Sequence, residues 1–197
     1  MKKIIQGKVR EVYEISDKEL VVVTTDRLSA FDVILPTPVP EKGIVLNKLS
    51  SFWFNLTKDI VPNHMISEDL KDMPAEFQKP EFEGRTILVK KLKMLPYEFI
   101  IRGYVFGSMW KAYKAGEPFC GHKIEGDYKL AQKLEKPILT PSTKSSEGHD
   151  VNISIEEMKA DVGEALAEQI EDVCLKLFDR CCTYAAEKGI IIADTKL

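Results

Sequence analysis

The sequence predicts an α+β fold, and three observations predict it. β-Prone runs separated by polar turns crowd the first quarter, the second half mixes helical and extended patterns, and a long 3.6-residue periodicity near the C-terminus runs into an isoleucine-rich strand signature. Residues 9–15 and 20–24 are the first strands, joined by the polar turn Ser16-Asp17-Lys18-Glu19. Pro36, Pro38 and Pro40 lack the backbone donors of a central strand and mark a loop or edge. Leu46, Leu49, Phe52, Trp53, Leu56 and Ile60 recur at helical spacing and predict one apolar stripe on a helix. A Pro-punctuated polar stretch, 62–80, leads into a strand over 85–91, and another over 98–101 follows the break at Leu95-Pro96. Residues 107–114 predict a short helix ended by Gly116. Residues 117–146, rich in Lys, Pro, Ser and Thr, read as extended loop with little regular structure. Ser154 and Glu157 form a capping box in which hydroxyl and carboxylate satisfy the free donors of a helix start. Leu166, Ile170, Val173, Cys174, Leu177, Cys181 and Tyr184 then keep the helical period as far as Gly189, with Gly163 dividing a short helix from a long one. Residues 190–193, Ile-Ile-Ile-Ala, read as a buried strand.

Composition bounds the function. A chain of 197 residues is one large domain or two small ones. Lys plus Arg number 28 and Asp plus Glu 31, a net charge of −3, which argues against wholesale wrapping of nucleic acid. An apolar share of 44% and a charged share of 30% describe a soluble globular protein. No apolar run approaches a membrane span, and Lys2-Lys3-Ile4-Ile5 passes at once into Gln6, Gly7 and Lys8, unlike a secretory signal. The four cysteines form no CxxC pair and the three histidines are scattered, so neither a zinc site nor a disulfide framework is expected. The expectation is a reduced, cytosolic protein.

Four polar clusters could carry chemistry. Gly7-Lys8-Val9-Arg10 places cations around a glycine whose amides can approach an anion; the alternative is an exposed hairpin with solvated cations. Asp26, Arg27, Ser29 and Asp32 lie within seven residues directly after an apolar strand. They suit a site loop that grips carboxylate or phosphate, or a charged turn held by its own Asp–Arg pairing. Lys90, Lys91, Lys93 and Met94 follow a strand, with Glu98, Arg102, Gly107 and Ser108 beyond. A strand lysine beside a connector is where kinase-like folds hold ATP, and a cation plus a hydroxyl at a helix start suits phosphate; a solvated lysine cluster is the alternative. Thr140-Pro141-Ser142-Thr143-Lys144 with His149-Asp150 combines hydroxyls, a lysine and a carboxylate suited to a charged metabolite.

Together these motifs resemble a known family. GKVREVY, TTDRLSAFD, LNKLSSFWF, VKKLKMLPYEFIIRGYVFGS, PILTPSTK, GHD and IIIADTKL stand in the order seen in SAICAR synthetases, from about residue 5 to the last. The resemblance implies two lobes, a kinase-like antiparallel N-terminal lobe over 1–94 that binds nucleotide and a mixed α/β lobe over 95–197, with ATP between them. It implies an ATP- and Mg²⁺-dependent cytoplasmic ligase that joins L-aspartate to carboxyaminoimidazole ribotide through an acyl phosphate, with small-molecule partners, no nucleic acid and no membrane; homo-oligomerisation stays open. It assigns Gly7, Lys8, Arg10, Lys91 and Met94 to the nucleotide. Asp26, Arg27, Ser29, Asp32, Glu98, Arg102, Ser108 and Asp150 go to substrate, with Arg102 and Ser108 on the ribotide phosphate. Lys144, Asp194 and Lys196 go to the reacting groups. Family members continue past the ADTKL motif with a Glu-Phe-Gly segment and an acidic metal position. The chain is therefore expected to be a truncated synthetase with no metal ligand of its own and little ligase activity; the alternatives are a nucleotide-binding fragment without ligation and a small-molecule kinase that shares the lobe arrangement.

Overall fold

The computed structural model describes residues 2–30, 33–143 and 151–197. The chain divides into two compact units, Met1–Met94 and Leu95–Leu197.

The first unit is built on an antiparallel sheet of five strands. They are β1 (Lys2–Gln6), β2 (Arg10–Glu14), β3 (Glu19–Thr24), β6 (Met65–Ser67) and β7 (Thr86–Lys90), in the order β1-β2-β3-β7-β6. The β-branched runs of β3 and β7 form its centre, and Val21, Val23 and Leu88 pack against Met73 and Phe77. Those last two side chains come from the Pro-rich stretch, which is not featureless: short 3₁₀ turns at Leu70–Asp72, Ala75–Phe77 and Pro80–Phe82 lay its apolar residues over the sheet. β1 carries no burial alternation because every residue of it is exposed, which is why its pattern gives no strand signal. A small ladder of β4 (Ser29–Ala30) and β5 (Val33–Ile34) precedes the prolines.

Helix α1 (Lys42–Thr57) forms, but the predicted stripe is not its buried face. Gly43, Asn47, Ser51 and Thr57 are buried, whereas Leu49 and Phe52 are exposed. The reason is steric. At Gly43 a Cβ would lie 2.4 Å from the Thr24 carbonyl oxygen, so the helix approaches the end of β3 closely enough to admit only small or hydrogen-bonding residues. Asn47 accordingly donates from Nδ2 to the Gly84 carbonyl at 3.2 Å.

The second unit holds a four-stranded antiparallel sheet of β8 (Tyr97–Tyr104), β9 (Lys133–Thr143), β10 (Val151–Asn152) and β11 (Asp194–Lys196), in the order β10-β9-β8-β11. β9 corrects the second part of the loop expected over 117–146: residues 117–132 hold no helix or strand and 144–146 lie outside the described residues, but 133–143 form an eleven-residue strand paired along β8, from Tyr97 opposite Thr143 to Tyr104 opposite Lys133. Its prolines are tolerated for a geometric reason. Phe99 exchanges its backbone hydrogen bonds with Leu197, not with Pro141 opposite, so Pro141 owes β8 no donor. The register shift between Arg102 and Tyr104 accommodates Pro137.

Helix α2 (Gly107–Ala115) ends at Gly116 in the left-handed region, φ 74°. Helices α3 (Ile155–Val162) and α4 (Glu164–Glu187) part at Gly163, and the capping box is present in both directions at the start of α3. Ile101 and Leu139 from the sheet pack on Met158, Ala167, Cys174 and Phe178 from the helices. Burial pushes the thiols of Cys120 and Cys174 up to about 11 and about 12, so they pack as apolar groups. Residues 190–193 are a second correction. Ile190 and Ile191 are 59% and 73% exposed, and strand pairing begins only where the Gly103 amide donates to the Ala193 carbonyl, the strand itself being Asp194–Lys196. Among the described residues, no helix is long and apolar enough to cross a membrane.

Candidate functional site

Some of the sequence-predicted residues are brought together, Gly7, Lys8, Arg10, Asp26 and Arg27 in the first unit and Glu98, Arg102, Asp194 and Lys196 in the second. Lys91 lies at the other end of the first sheet, beside Lys18 and Glu14, and among the described residues Ser29, Met94 and Ser108 make no contact with either group that would join them to it. Asp32, Lys144 and Asp150 lie outside the described residues.

In the first unit the hairpin β1–β2 turns at residues 7–10, where the Gly7 amide donates to the Arg10 carbonyl at 2.8 Å. Lys8 and Arg10 are exposed at this turn. Beneath it lies the loop that follows β3. Arg27 donates from Nη2 to the Gly7 carbonyl at 3.0 Å, from Nε to the Lys8 carbonyl at 3.1 Å and from Nη1 to Glu11 Oε1 at 3.0 Å. Thr25 donates both its amide and its hydroxyl to the Val9 carbonyl, at 2.9 and 2.8 Å. The pairing of Asp and Arg within this loop, one of the two readings of its sequence, is not what forms: Asp26 and Arg27 each pair with a residue from elsewhere. Asp26 takes a two-pronged contact from Arg85, at 3.0 and 3.2 Å, and accepts the Gly43 amide at 2.9 Å, capping α1 from outside the helix. Burial opposes ionisation of Asp26, yet the Gly43 amide and Arg85 outweigh it and hold its carboxyl below the usual range. Sequence reasoning missed Glu11 and Arg85, because each partner is set by strand pairing and no local spacing announces it.

Glu11 is the charge at the centre of this arrangement. The Tyr13 hydroxyl donates to it at 2.7 Å, Arg27 faces its other oxygen, and Lys3 lies 3.2 Å away. The hydrogen bond from Tyr13, with those from Arg27 and Lys3, outweighs burial and lowers its pKa from 4.5 to about 2. The folded state therefore holds this carboxylate ionised where the unfolded chain would protonate it. The stabilisation is complete above 4.5 and is lost as pH falls towards 2. Urea midpoints measured at pH 7 and pH 3 should fall less for Glu11→Gln than for the wild type.

Ser29 is half-buried in β4. Lys91 follows β7, its amide held by the Lys18 carbonyl at 2.8 Å and its ammonium paired with Glu14. Met94 is 78% exposed.

In the second unit, alternation along β8 separates two faces. Phe99 and Ile101 point to the apolar core under α3 and α4. Glu98 and Arg102 point the other way, and cross-strand register adds Ser142 opposite Glu98, Thr140 and Lys196 opposite Ile100, and Asp194 opposite Arg102. The Arg102 guanidinium is fixed from several sides. Its Nε donates to Thr140 Oγ1 at 3.1 Å, that hydroxyl donates to the Ile100 carbonyl at 2.9 Å, the Phe119 ring lies 5.3 Å beneath, and Asp194 Oδ2 is 3.8 Å away. Arg102 is 13% exposed, so its charge is largely withdrawn from water and its outer N–H groups are aimed, which suits an oxyanion. Lys196 pairs with Glu98 beside it. The Ser142 hydroxyl is buried with no partner among the described residues, an orphaned polar atom on this same face. Ser108 is exposed in the first turn of α2, where free amides favour phosphate. The sequence picked out the hydroxyls of Thr140 and Ser142; that Thr140 orients Arg102 needed the register.

Among the described residues, no three His, Cys, Asp or Glu side chains converge in a way that could hold a metal ion.

A family model described as SAICAR synthetase matches residues 3–197. A phosphoribosylaminoimidazole-succinocarboxamide synthase of Geobacter sulfurreducens is 52% identical over 194 residues, which cover 97% of this chain and 65% of that protein. The SAICAR synthase of Saccharomyces cerevisiae, solved in complex with SAICAR, superposes with a TM-score of 0.90 at 42% identity, covering 99% of this chain and 67% of that one. A SAICAR synthetase solved in complex with ADP gives a TM-score of 0.78 at 26% identity, covering 98% and 72%. The chain thus spans about two thirds of the length of these relatives. Motif order, the α+β fold and a match across nearly all of its residues agree: the chain belongs to the SAICAR synthetase family.

Proposed function

We propose that this chain binds ATP and carboxyaminoimidazole ribotide for a ligase that joins the ribotide carboxylate to L-aspartate, giving SAICAR, ADP and phosphate. The observation that carries the reading is the ligand-facing side of β8, where an oriented, desolvated Arg102 stands among Thr140, Ser142, Glu98 and Lys196 in a chain matched to this family throughout.

A carboxylate is a poor electrophile. ATP supplies the phosphoryl group that turns it into an acyl phosphate, which the aspartate amine attacks with loss of phosphate. The residues of the chain bind and orient. The turn at residues 7–10, with Lys8 and Arg10, takes the triphosphate; Lys91 and Met94 take the rest of the nucleotide. Arg102 and Ser108 hold the ribotide phosphate, while Glu98 fixes Lys196 where it can offset charge developing at the reacting carboxylate. Asp194 keeps Arg102 oriented, and Ser29, Asp32, Lys144 and Asp150 complete the substrate contacts. Magnesium bound with ATP would offset charge on the phosphates; no residue of the chain is assigned to hold it, and no step is routed through it.

Calorimetric titration of the protein with ATP and, separately, with the ribotide tests the reading. Both should bind, and Lys8→Ala should weaken ATP about tenfold, the worth of one charge-assisted phosphate contact, with the ribotide unaffected. A coupled assay adds the rest: ADP release that needs both aspartate and ribotide supports the ligase. ATP consumption that persists without aspartate points to a phosphotransferase, and failure to bind either ligand overturns the proposal.

A further inference from the structure

Resting on the assignment of the triphosphate to residues 7–10, we propose that Arg27 is a positioning residue that sets this turn in its anion-binding shape before any ligand arrives, and that it does not itself touch the nucleotide.

The carbonyls of three successive residues, Gly7, Lys8 and Val9, all turn inward, the first two onto Arg27 and the third onto Thr25. In a trans peptide the carbonyl and the following N–H point in opposite directions, and there is no cis bond among the described residues. Anchoring the Gly7 and Lys8 carbonyls therefore turns the amides of Lys8 and Val9 away from Arg27, making a concave set of donors flanked by the side chains of Lys8 and Arg10. Arg27 is poorly placed to do the binding. Three N–H donors are committed to the turn and to Glu11, and Glu11 balances its charge at 3.0 Å. Its backbone is fixed as well. The Arg27 amide donates to Thr25 Oγ1 at 3.3 Å, and Lys42 Nζ donates to the Arg27 carbonyl at 3.1 Å.

The hairpin needs such a clamp. Every residue of β1 is exposed, so little apolar burial holds the turn in one conformation, and the ordering entropy would otherwise fall on ligand binding. The forked guanidinium matters too. It reaches two carbonyls and a carboxylate at once, which a lysine ammonium on a single stem does not.

Hydrogen exchange and ATP titration on the whole protein test this with Arg27→Gln and Arg27→Lys. Without nucleotide, the amides of Gly7 and Thr25, which donate within and onto the turn, should exchange about tenfold faster in both variants, while those of Val21 and Val23 keep wild-type protection and show the sheet intact. ATP affinity should fall about tenfold in both, because the lost interaction is the fork and not the charge. Unchanged exchange at Gly7 and Thr25, or an affinity that Arg27→Lys restores, would overturn the positioning role. A wild-type protein that does not bind ATP would instead sink the functional reading, with the exchange data still deciding whether the clamp exists.

Discussion

Arg102→Gln is expected to weaken ribotide binding about 100-fold, since it removes a charge-assisted, oriented contact worth about 2–3 kcal/mol from a site with little water. ATP affinity should stay within about twofold, because the nucleotide is assigned to other residues. The size follows from the surroundings of the side chain. Thr140 holds the guanidinium at Nε, Asp194 lies 3.8 Å from Nη1 and Phe119 lies under its face, so its remaining donors keep a set direction and the ordering cost at binding is reduced. Glutamine is shorter, uncharged and unable to keep the Thr140 contact while reaching outward. Calorimetry with the ribotide and with ATP reads both numbers. Equal losses for the two ligands would mean that the substitution damages the fold and that the assignment of Arg102 is wrong.

Gly43→Ala should destabilise residues 2–94 by about 3 kcal/mol, the upper part of the usual range for forcing extra volume into a packed site. The added methyl would meet the Thr24 carbonyl oxygen at 2.4 Å and Asp26 Oδ1 at 3.0 Å, and a backbone oxygen cannot swing aside as a flexible side chain would. α1 must move outward, and in doing so it draws the Gly43 amide from Asp26. The melting temperature should drop by about 15 °C, from the slope expected of a unit this size. Gly107→Ala makes the comparison: no atom lies within 4 Å of its Cβ position, and only its φ of 60° is unfavourable, so the loss should be about 1 kcal/mol. Scanning calorimetry of the two variants separates steric from torsional cost, and equal shifts would refute the close approach of α1 to β3.

How much of this was legible in the sequence depended on what each element packs against. β3 and β7 are half of a core and read correctly from their β-branched runs; Gly116, Gly163 and the Ser154–Glu157 box act through local backbone chemistry and read correctly too. β1, with no buried face, leaves no alternation to detect. β9 looked like a loop because Lys, Pro and Thr dominate it. What makes it a strand is the length of β8 beside it and the placement of Pro141 at a position without a ladder bond, neither visible locally. The stripe on α1 was real as a pattern and misleading as a guide to burial, since close backbone approach selected Gly43, Asn47 and Ser51 instead. At the site the residue types were legible and their pairing was not. Asp26 finds Arg85, 59 positions on, and Arg102 finds Thr140, 38 positions on.

The two-sidedness of β8 has an evolutionary consequence. Because odd-numbered positions such as Phe99 and Ile101 face the interior, and even-numbered ones such as Glu98 and Arg102 the opposite face, to which the ribotide is assigned above, substitutions in the second set need not disturb the packing of the first. A lineage can retune which metabolite it accepts by exchanging alternate residues of a single segment, with no repacking debt to settle first.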